Sequence, residues 1–542
     1  MVPVLVDLAT GGRRVFAYLA ADAFYYLTVA RNVAALGRVT FDQEHATNGF
    51  HPLWQAMTAG LVALVRPLGA TDVGVLWVVV AVCLALVAAA LLGLAMAMAA
   101  DGELPAAFAL VPVGAVGLAL APLWVASLGQ LATMNPYEGS PPLWGTLWFA
   151  VNGMETPVLL AAYAGLAALY VRGDVLGSDR HAALFGVAMA AVVLARLDHA
   201  VFPAVLGVTL FGRALAARDV DAVRRLALAG AVGAAPVALY LAWNELTFGH
   251  LVPVSGRLKT SFPRPEEANA RMLASLALSP APVDWLERTA RAAAVLVPMA
   301  LARVELSVGP RPRLATLRQL PSARLDHLLR TGAVGCLLLG GYNALFVRWS
   351  HQGHWYLPVS AVLASLWLVR WAARARRGRS PAVPRPLVHG GAAVLALLAF
   401  AFLHRHPDTH TRYATFVLDL VPRIHAHYGE ERPRLVEFDD GVVAYGTGYP
   451  TMPATALTLD EEAIEAARAD RLLDLALERG FRRFTSSVID RRRVYGGIAR
   501  FRGRHAIRLE LSAEELGFGI WLVTPRGTTA DSGSRSGGGG GP

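Results

Sequence analysis

Long apolar stretches separated by short polar connections dominate the chain. The clearest cover 73–98, 106–126, 152–171, 181–197, 199–216, 226–245, 330–348, 355–371 and 387–403, with a weaker one at 289–304. Each is of the order of 20 residues, the length a helix needs to cross a hydrocarbon core roughly 30 Å thick. The pattern predicts an α-helical polytopic membrane protein of about ten spans. A further apolar stretch, 50–68, is short and interrupted by Arg66 and Pro67. With His51 and Trp54 at one end it reads as an amphipathic helix lying in the membrane interface. After about residue 404 the apolar runs shorten. Helical periodicity with many charges marks 460–480, and Leu435–Tyr445 and Ile507–Leu511 read as strands. The expected organisation is a transmembrane body over 1–404, in which 20–70 form a first outer loop with its interfacial helix. A small α+β extracytoplasmic domain over 405–525 and a Gly/Ser-rich flexible tail over 526–542 complete it.

Composition agrees with a lipid environment. The 542 residues are 55% hydrophobic and 17% charged, with mean hydropathy +0.44, whereas soluble domains are about one quarter charged. Cys83 and Cys336 lie far apart inside apolar segments, which excludes a disulfide framework and a thiolate zinc site. A net charge of +10 raises the question of nucleic acid, but the arginines cluster between spans as cytoplasmic loops require. The clusters are Arg172 and Arg180; Arg213, Arg218, Arg224 and Arg225; Arg303, Arg311, Arg313, Arg318, Arg324 and Arg330; and Arg370, Arg374, Arg376, Arg377, Arg379 and Arg385. All four fall on one side if 289–304 also crosses. The outer side then holds 127–151, the turn Arg196-Leu197-Asp198-His199, 246–288, 349–354 and everything after about 404. Among the 50 basic residues, Lys259 is the one lysine. Heavy Ala, Gly, Val and Arg usage indicates GC-rich codons, against which a retained lysine suggests a task that arginine cannot perform.

Unusual polar residues gather on the outer side: Asp22 with Phe24, Tyr25, Tyr26, Arg31 and Asn32; Thr47-Asn48-Gly49-Phe50-His51-Pro52-Leu53-Trp54; Gly153-Met154-Glu155; Arg196 and Asp198; Pro253-Val254-Ser255-Gly256 with Lys259; and His351, His354, Trp355 and Tyr356. A charge at a helix centre costs about 2.5–3.5 kcal/mol on insertion scales and far less near helix ends, so each is tolerable alone. Their gathering on one face points to a site. Plainer roles stay open: Arg196 and Asp198 pairing at a helix end, Glu155 favoured by a helix dipole, the aromatics at 24–26 as membrane anchors, and His351 and His354 as interfacial residues rather than metal ligands. GxxxxGK[ST], HExxH, CxxC and GxSxG motifs do not occur.

Ala21-Asp22-Ala23-Phe24-Tyr25-Tyr26-Leu27, followed by Ala30-Arg31-Asn32, resembles the first outer loop of GT-C fold glycosyltransferases. The stretch 47–54 resembles the close of that loop in a bacterial branch related to the lipid A aminoarabinose, protein O-mannosyl and actinobacterial arabinofuranosyl transferases. Gly153-Met154-Glu155-Thr156, Leu194-Ala195-Arg196-Leu197-Asp198, and Pro253-Val254-Ser255-Gly256 with Lys259 resemble later landmarks in the same order. The resemblance implies a plasma-membrane enzyme working on the outer face. It would move a sugar from a polyprenyl-phosphate donor to an envelope glycan, lipid or protein, with no nucleic-acid partner. It implies inverting transfer with Asp22 as general base and Lys259 and Arg196 on the donor phosphate. Tyr25, Tyr26, Asn48, His51, Glu155, Asp198, Ser255, His354 and Tyr356 would contact substrate. No cofactor is implied, and a divalent cation near Asp22 is compatible with it. The chain departs from the family in two places. Ala21 stands where the first of two adjacent acids is usual, and residues 1–20, with Asp7, Arg13 and Arg14, do not form the expected first span, so residue 1 reads as an internal start. Two other readings use the same features: a flippase of lipid-linked sugars, and a catalytically inactive scaffold.

Overall fold

The computed structural model describes residues 15–99 without 21, 152–267 and 269, 296–347, 358–376, 416–438, 441–455, 458–487, and 501–525 without 502 and 514–517. The expected spans 106–126 and 387–403, the loop 127–151, the tail, and His351, His354, Trp355 and Tyr356 lie outside the described residues.

The helical body is built from α1 (Ala23–Leu36), α2 (Pro52–Val65), α3 (Asp72–Met98), α4 (Thr156–Arg172), α5 (Asp179–Ala195), α6 (Val201–Ala216), α7 (Val220–Phe248), α8 (Val254–Lys259), α9 (Pro321–Phe346) and α10 (Pro358–Arg376). A further helix covers 296–308. Side-chain oxygens start several of these helices: Thr71 accepts from Gly74 N before α3, Ser178 from His181 N before α5, and Asp219 from Ala222 N before α7. α3 packs along α4, α5 along both α4 and α7, and α6 against α9. Small residues set the closest crossing. A Cβ on Gly186 would come within 2.3 Å of Ala229 O, and one on Gly233 within 2.9 Å of Gly186 O, the small-residue contact typical of helices packed in lipid.

Among the described residues three helices are long and apolar enough to cross a membrane: α3, Leu197–Ala216 and α7. Their outward faces stay apolar, with Val208 71%, Leu239 72% and Leu246 87% exposed. Water would be a poor solvent for so continuous a surface, and hydrocarbon a good one. α2 has 14 residues, about 21 Å at 1.5 Å per residue, which falls short of a bilayer core. Several arginines expected in connections sit instead in helix ends: Arg224 and Arg225 in α7, Arg324 and Arg330 in α9, Arg370, Arg374 and Arg376 in α10. There their guanidiniums reach Asp179 (Arg224, Arg225) or Asp326 (Arg370).

The C-terminal part carries a five-stranded mixed sheet of β1 (Leu435–Glu437), β2 (Thr451–Pro453), β3 (Arg483–Ser487), β4 (His505–Ala513) and β5 (Phe518–Pro525), in the order β2-β1-β3-β5-β4. β1 is parallel to β2 and β3, and β5 is antiparallel to β3 and β4. The helices α11 (Val442–Thr447), α12 (Glu461–Arg468) and α13 (Leu472–Glu478) accompany it. The expected strand Leu435–Tyr445 is corrected here: extended structure ends at Glu437, and α11 comes next. The buried Glu437 carboxylate accepts from Val443 N (2.7 Å) and Ala444 N (3.0 Å), which starts the helix. The 460–480 periodicity resolves into α12 and α13, broken at Asp470 with φ 54°. One small core lies under the sheet around Val436, Met452, Phe481 and Phe484. Val442, Val443, Ala444, Tyr445 and Tyr449 join the large core of the helical body instead.

Candidate functional site

A cavity of about 710 Å³ opens between α1, α2, α8 and the ends of α5, α7 and α9. Its polar lining includes Asp22, Tyr25, Tyr26, His51, Glu155, Arg196, Asp198, Ser255 and Lys259. These residues come from separate stretches of sequence. The lining also includes the apolar side chains of Val193, Val201, Val237, Leu241, Leu338 and Leu339.

Asp22 begins α1. A carboxylate there would ordinarily cap its helix, but Asp22 makes no cap hydrogen bond and is left to line the cavity. Lys259 ends α8. Among the described residues neither Asp22 nor Lys259 has an ion-pair partner within 4 Å, yet Lys259 is near enough to act on Asp22 electrostatically. Burial raises the Asp22 pKa; Lys259 draws it down and Glu155 pushes it up.

Glu155 reaches the cavity through a turn that needs glycine. Gly153 has φ 75°, and a Cβ there would meet Leu19 Cδ2 at 2.8 Å and Ala23 Cβ at 2.9 Å. Trp54 Nε1 donates to Gly153 O (2.8 Å), Ala20 N donates to Asn152 O (2.9 Å), and Asn152 Oδ1 accepts from Met154 N (3.1 Å). Glu155 then receives Tyr26 Oη (3.3 Å) on one oxygen and Arg196 Nη1 (3.2 Å) on the other, with His51 Nε2 at 3.7 Å. α5 stops at Arg196, where the backbone turns extended before a 3-10 turn over Leu197–Ala200. Arg196 grips Asp198 with two parallel bonds of 3.0 and 3.1 Å. Buried at 2% exposure, Arg196 is thus shared by two carboxylates. Burial lowers the His51 pKa, against the pull of Glu155, so its imidazole is neutral near pH 7.

Asn48 is fully buried in the wall. Its Oδ1 accepts from Val254 N (3.0 Å) at the start of α8, and its Nδ2 donates to Asn244 Oδ1 (3.1 Å) in α7. It therefore fixes where the cation-bearing helix begins. His354 and Tyr356 lie outside the described residues. Sequence reasoning did not single out Gln55, Arg257, Thr260, Tyr342 or Thr458, which also line the cavity. Arg257 had a signal, being two positions from Lys259, but it was one arginine among many. Among the described residues, buried polar atoms of the lining without a hydrogen-bond partner include His51 Nδ1, Gln55 Oε1 and Thr458 Oγ1. Among the described residues no three His, Cys, Asp or Glu side chains converge as a metal ion would need.

No family model and no curated protein sequence matches the chain. Among solved structures, the crystal structure of the Archaeoglobus fulgidus oligosaccharyltransferase, in complex with zinc and sulfate, is similar to it at 10% identity and a TM-score of 0.43. The match covers 93% of this chain and 69% of that chain. A likeness this slight says nothing of substrate or chemistry.

Proposed function

We propose that the protein is an integral-membrane glycosyltransferase that moves a sugar from a polyprenyl-phosphate donor to a hydroxyl of a cell-envelope acceptor. The observation that carries the reading is the cavity itself. A carboxylate and an ammonium, neither ion-paired among the described residues, line one space together with apolar side chains from the surrounding helices. Such a cavity suits a ligand with a charged, hydroxylated head and a hydrocarbon tail. The unpartnered His51 Nδ1, Gln55 Oε1 and Thr458 Oγ1 are positions that sugar hydroxyls would satisfy.

In this reading the acceptor hydroxyl gives its proton to the Asp22 carboxylate as its oxygen bonds to the anomeric carbon. The bond from that carbon to the phosphate oxygen breaks, and the electron pair leaves with polyprenyl phosphate. A raised pKa makes Asp22 a stronger base than an exposed aspartate. The negative charge growing on the leaving phosphate is stabilised by Lys259, a compact point charge that can meet one oxygen. We assign Arg196 to holding Glu155 and Asp198 rather than to the phosphate, because its fork is already occupied. One displacement inverts the anomeric centre.

The test is a panel of polyprenyl-phosphate sugars offered to the purified full chain in nanodiscs, with the product's anomeric configuration read by NMR. Inverted product with release of free polyprenyl phosphate is expected. Retained configuration would overturn the single displacement. Movement of intact lipid-sugar between leaflets without bond cleavage would favour the flippase instead.

A further inference from the structure

Lys259 sits at the end of a helix too small to hold itself. α8 has six residues, far below the length at which an isolated helix is stable, and Thr260 after it is already extended. Asn48 secures its first turn. Its last turn is secured from the C-terminal part of the chain. The Arg257 guanidinium pairs with Glu461, and the Arg257 carbonyl accepts from Arg468 Nη2 (3.0 Å).

Glu461 is singled out among its neighbours. Asp460 caps α12 by accepting from Ala463 N (3.0 Å), and Arg479 holds both Asp460 (2.8 Å) and Glu462 (2.5 Å). Glu461 turns the opposite way, to Arg257 and to His250 Nε2 at 3.5 Å. Other residues near it in sequence also reach the site. Thr455 Oγ1 shares a hydrogen bond with Tyr25 Oη (2.9 Å), Thr47 Oγ1 donates to Leu459 O (3.3 Å), and Thr458 lines the cavity. These residues of the C-terminal part are therefore bonded both to α1, which Asp22 begins, and to the helix that carries Lys259.

We propose that Glu461, acting through Arg257, is a positioning residue that sets Lys259 against the leaving phosphate. This rests on the assignment of Lys259 given above. The residue touches no reacting atom. Its effect passes through the orientation of α8, so the C-terminal part is a working component of the membrane-embedded site.

The test uses the full chain in nanodiscs with polyprenyl phosphate as probe, measuring its affinity and, separately, the thermal unfolding midpoint. Glu461→Gln is expected to weaken binding about 5- to 10-fold, a coupling usual for residues in contact, with little change in the midpoint. The exchange Arg257→Glu with Glu461→Arg should regain most of the loss. In a Lys259→Ala background Glu461→Gln should cost nothing further. An equal loss with and without Lys259, or a charge exchange that restores nothing, would overturn the proposal. So would unchanged binding by Glu461→Gln while Lys259→Ala binds poorly. Wild type that fails to bind, or binds as well without the lysine, would bring down the Lys259 assignment and this inference with it.

Discussion

Asp22 and Lys259 show how context decides what a charged side chain does. Several charges among the described residues are neutralised close by: Arg196 by Glu155 and Asp198, Arg370 by Asp326, Arg257 by Glu461. Asp22 and Lys259 act on each other only through the field of the cavity, and that makes a pH prediction. Burial and Glu155 raise the Asp22 pKa and Lys259 lowers it, so transfer should fail as pH falls through a value above the ordinary 3.8. Removing the ammonium in Lys259→Ala should move that acid limb to higher pH in kcat/KM profiles; an unmoved or lowered limb would contradict the coupling. Gly153 makes a second prediction. Alanine there would take a φ that side chains avoid and press on Leu19 and Ala23, costing about 1–3 kcal/mol, which should appear as a lowered unfolding midpoint with full-length expression retained. At this scale the sequence was informative wherever a residue was rare. A lone lysine and an acid in an apolar setting stand out, whereas Arg257 was hidden among 50 basic residues. The occupied fork of Arg196 was hidden too, since spacing alone left pairing with Asp198 open beside the phosphate role that the resemblance favours.

Elements are held in place here by local polar devices as much as by apolar faces. The loop between α1 and α2 is organised by Asp42, whose buried carboxylate accepts from Glu44 N (2.9 Å), His45 N (2.8 Å) and Thr40 Oγ1 (3.1 Å) and pairs with His45 Nδ1 (2.7 Å). The bond to Asp42 raises the His45 pKa above 6.5. That contribution is complete below 6.5 and is lost as pH rises through the folded value. Asp42 is lowered from 3.8 because hydrogen bonds from His45 and Glu44 outweigh its desolvation, so its contribution is present above 3.8 and lost as pH falls through the folded value. The loop should therefore be best protected between about pH 4 and 6.5. Amide exchange at 40–46, corrected for intrinsic rate, should show protection falling on either side and a flatter profile in His45→Ala; protection that keeps rising through pH 8 would contradict it. Helix positions were legible from apolar periodicity, and the brevity of α2 from Arg66 and Pro67. The misreading of Val442–Tyr445 as strand has a physical cause. Val442, Val443, Ala444 and Tyr445 are buried on every side, and a wholly buried run carries no period to separate helix from strand. What decides is Gly441 at φ 90°, where a Cβ would lie 3.1 Å from the backbone of Phe24, together with the Glu437 carboxylate.

For the molecule as a whole, the C-terminal part is joined to the helical body by a shared core, with Val442 to Tyr445 and Tyr449 packed into the same cluster as Phe24 and Tyr25. Composition marks a change of character after residue 404, but it carries no sign of this docking, because partners so far apart in sequence leave no local pattern. We propose that the cavity lies on the outer side of the membrane and the arginine-rich ends on the inner side. Cys83 and Cys336 are buried, so single added cysteines report cleanly. A membrane-impermeant maleimide on intact cells should label Glu430→Cys and leave Ala217→Cys unlabelled until the membrane is opened; the reverse pattern would contradict the outer placement of the cavity. The central claim is that Asp22 removes the acceptor proton, and single-turnover transfer from a preloaded donor tests it most directly, comparing wild type with Asp22→Asn at equal occupancy. Loss of a positioned base costs about 10²- to 10⁴-fold, so the account predicts at least a hundredfold slower transfer with donor affinity retained. Transfer by Asp22→Asn within a few-fold of wild type would contradict it and pass the role of base to another carboxylate of the cavity.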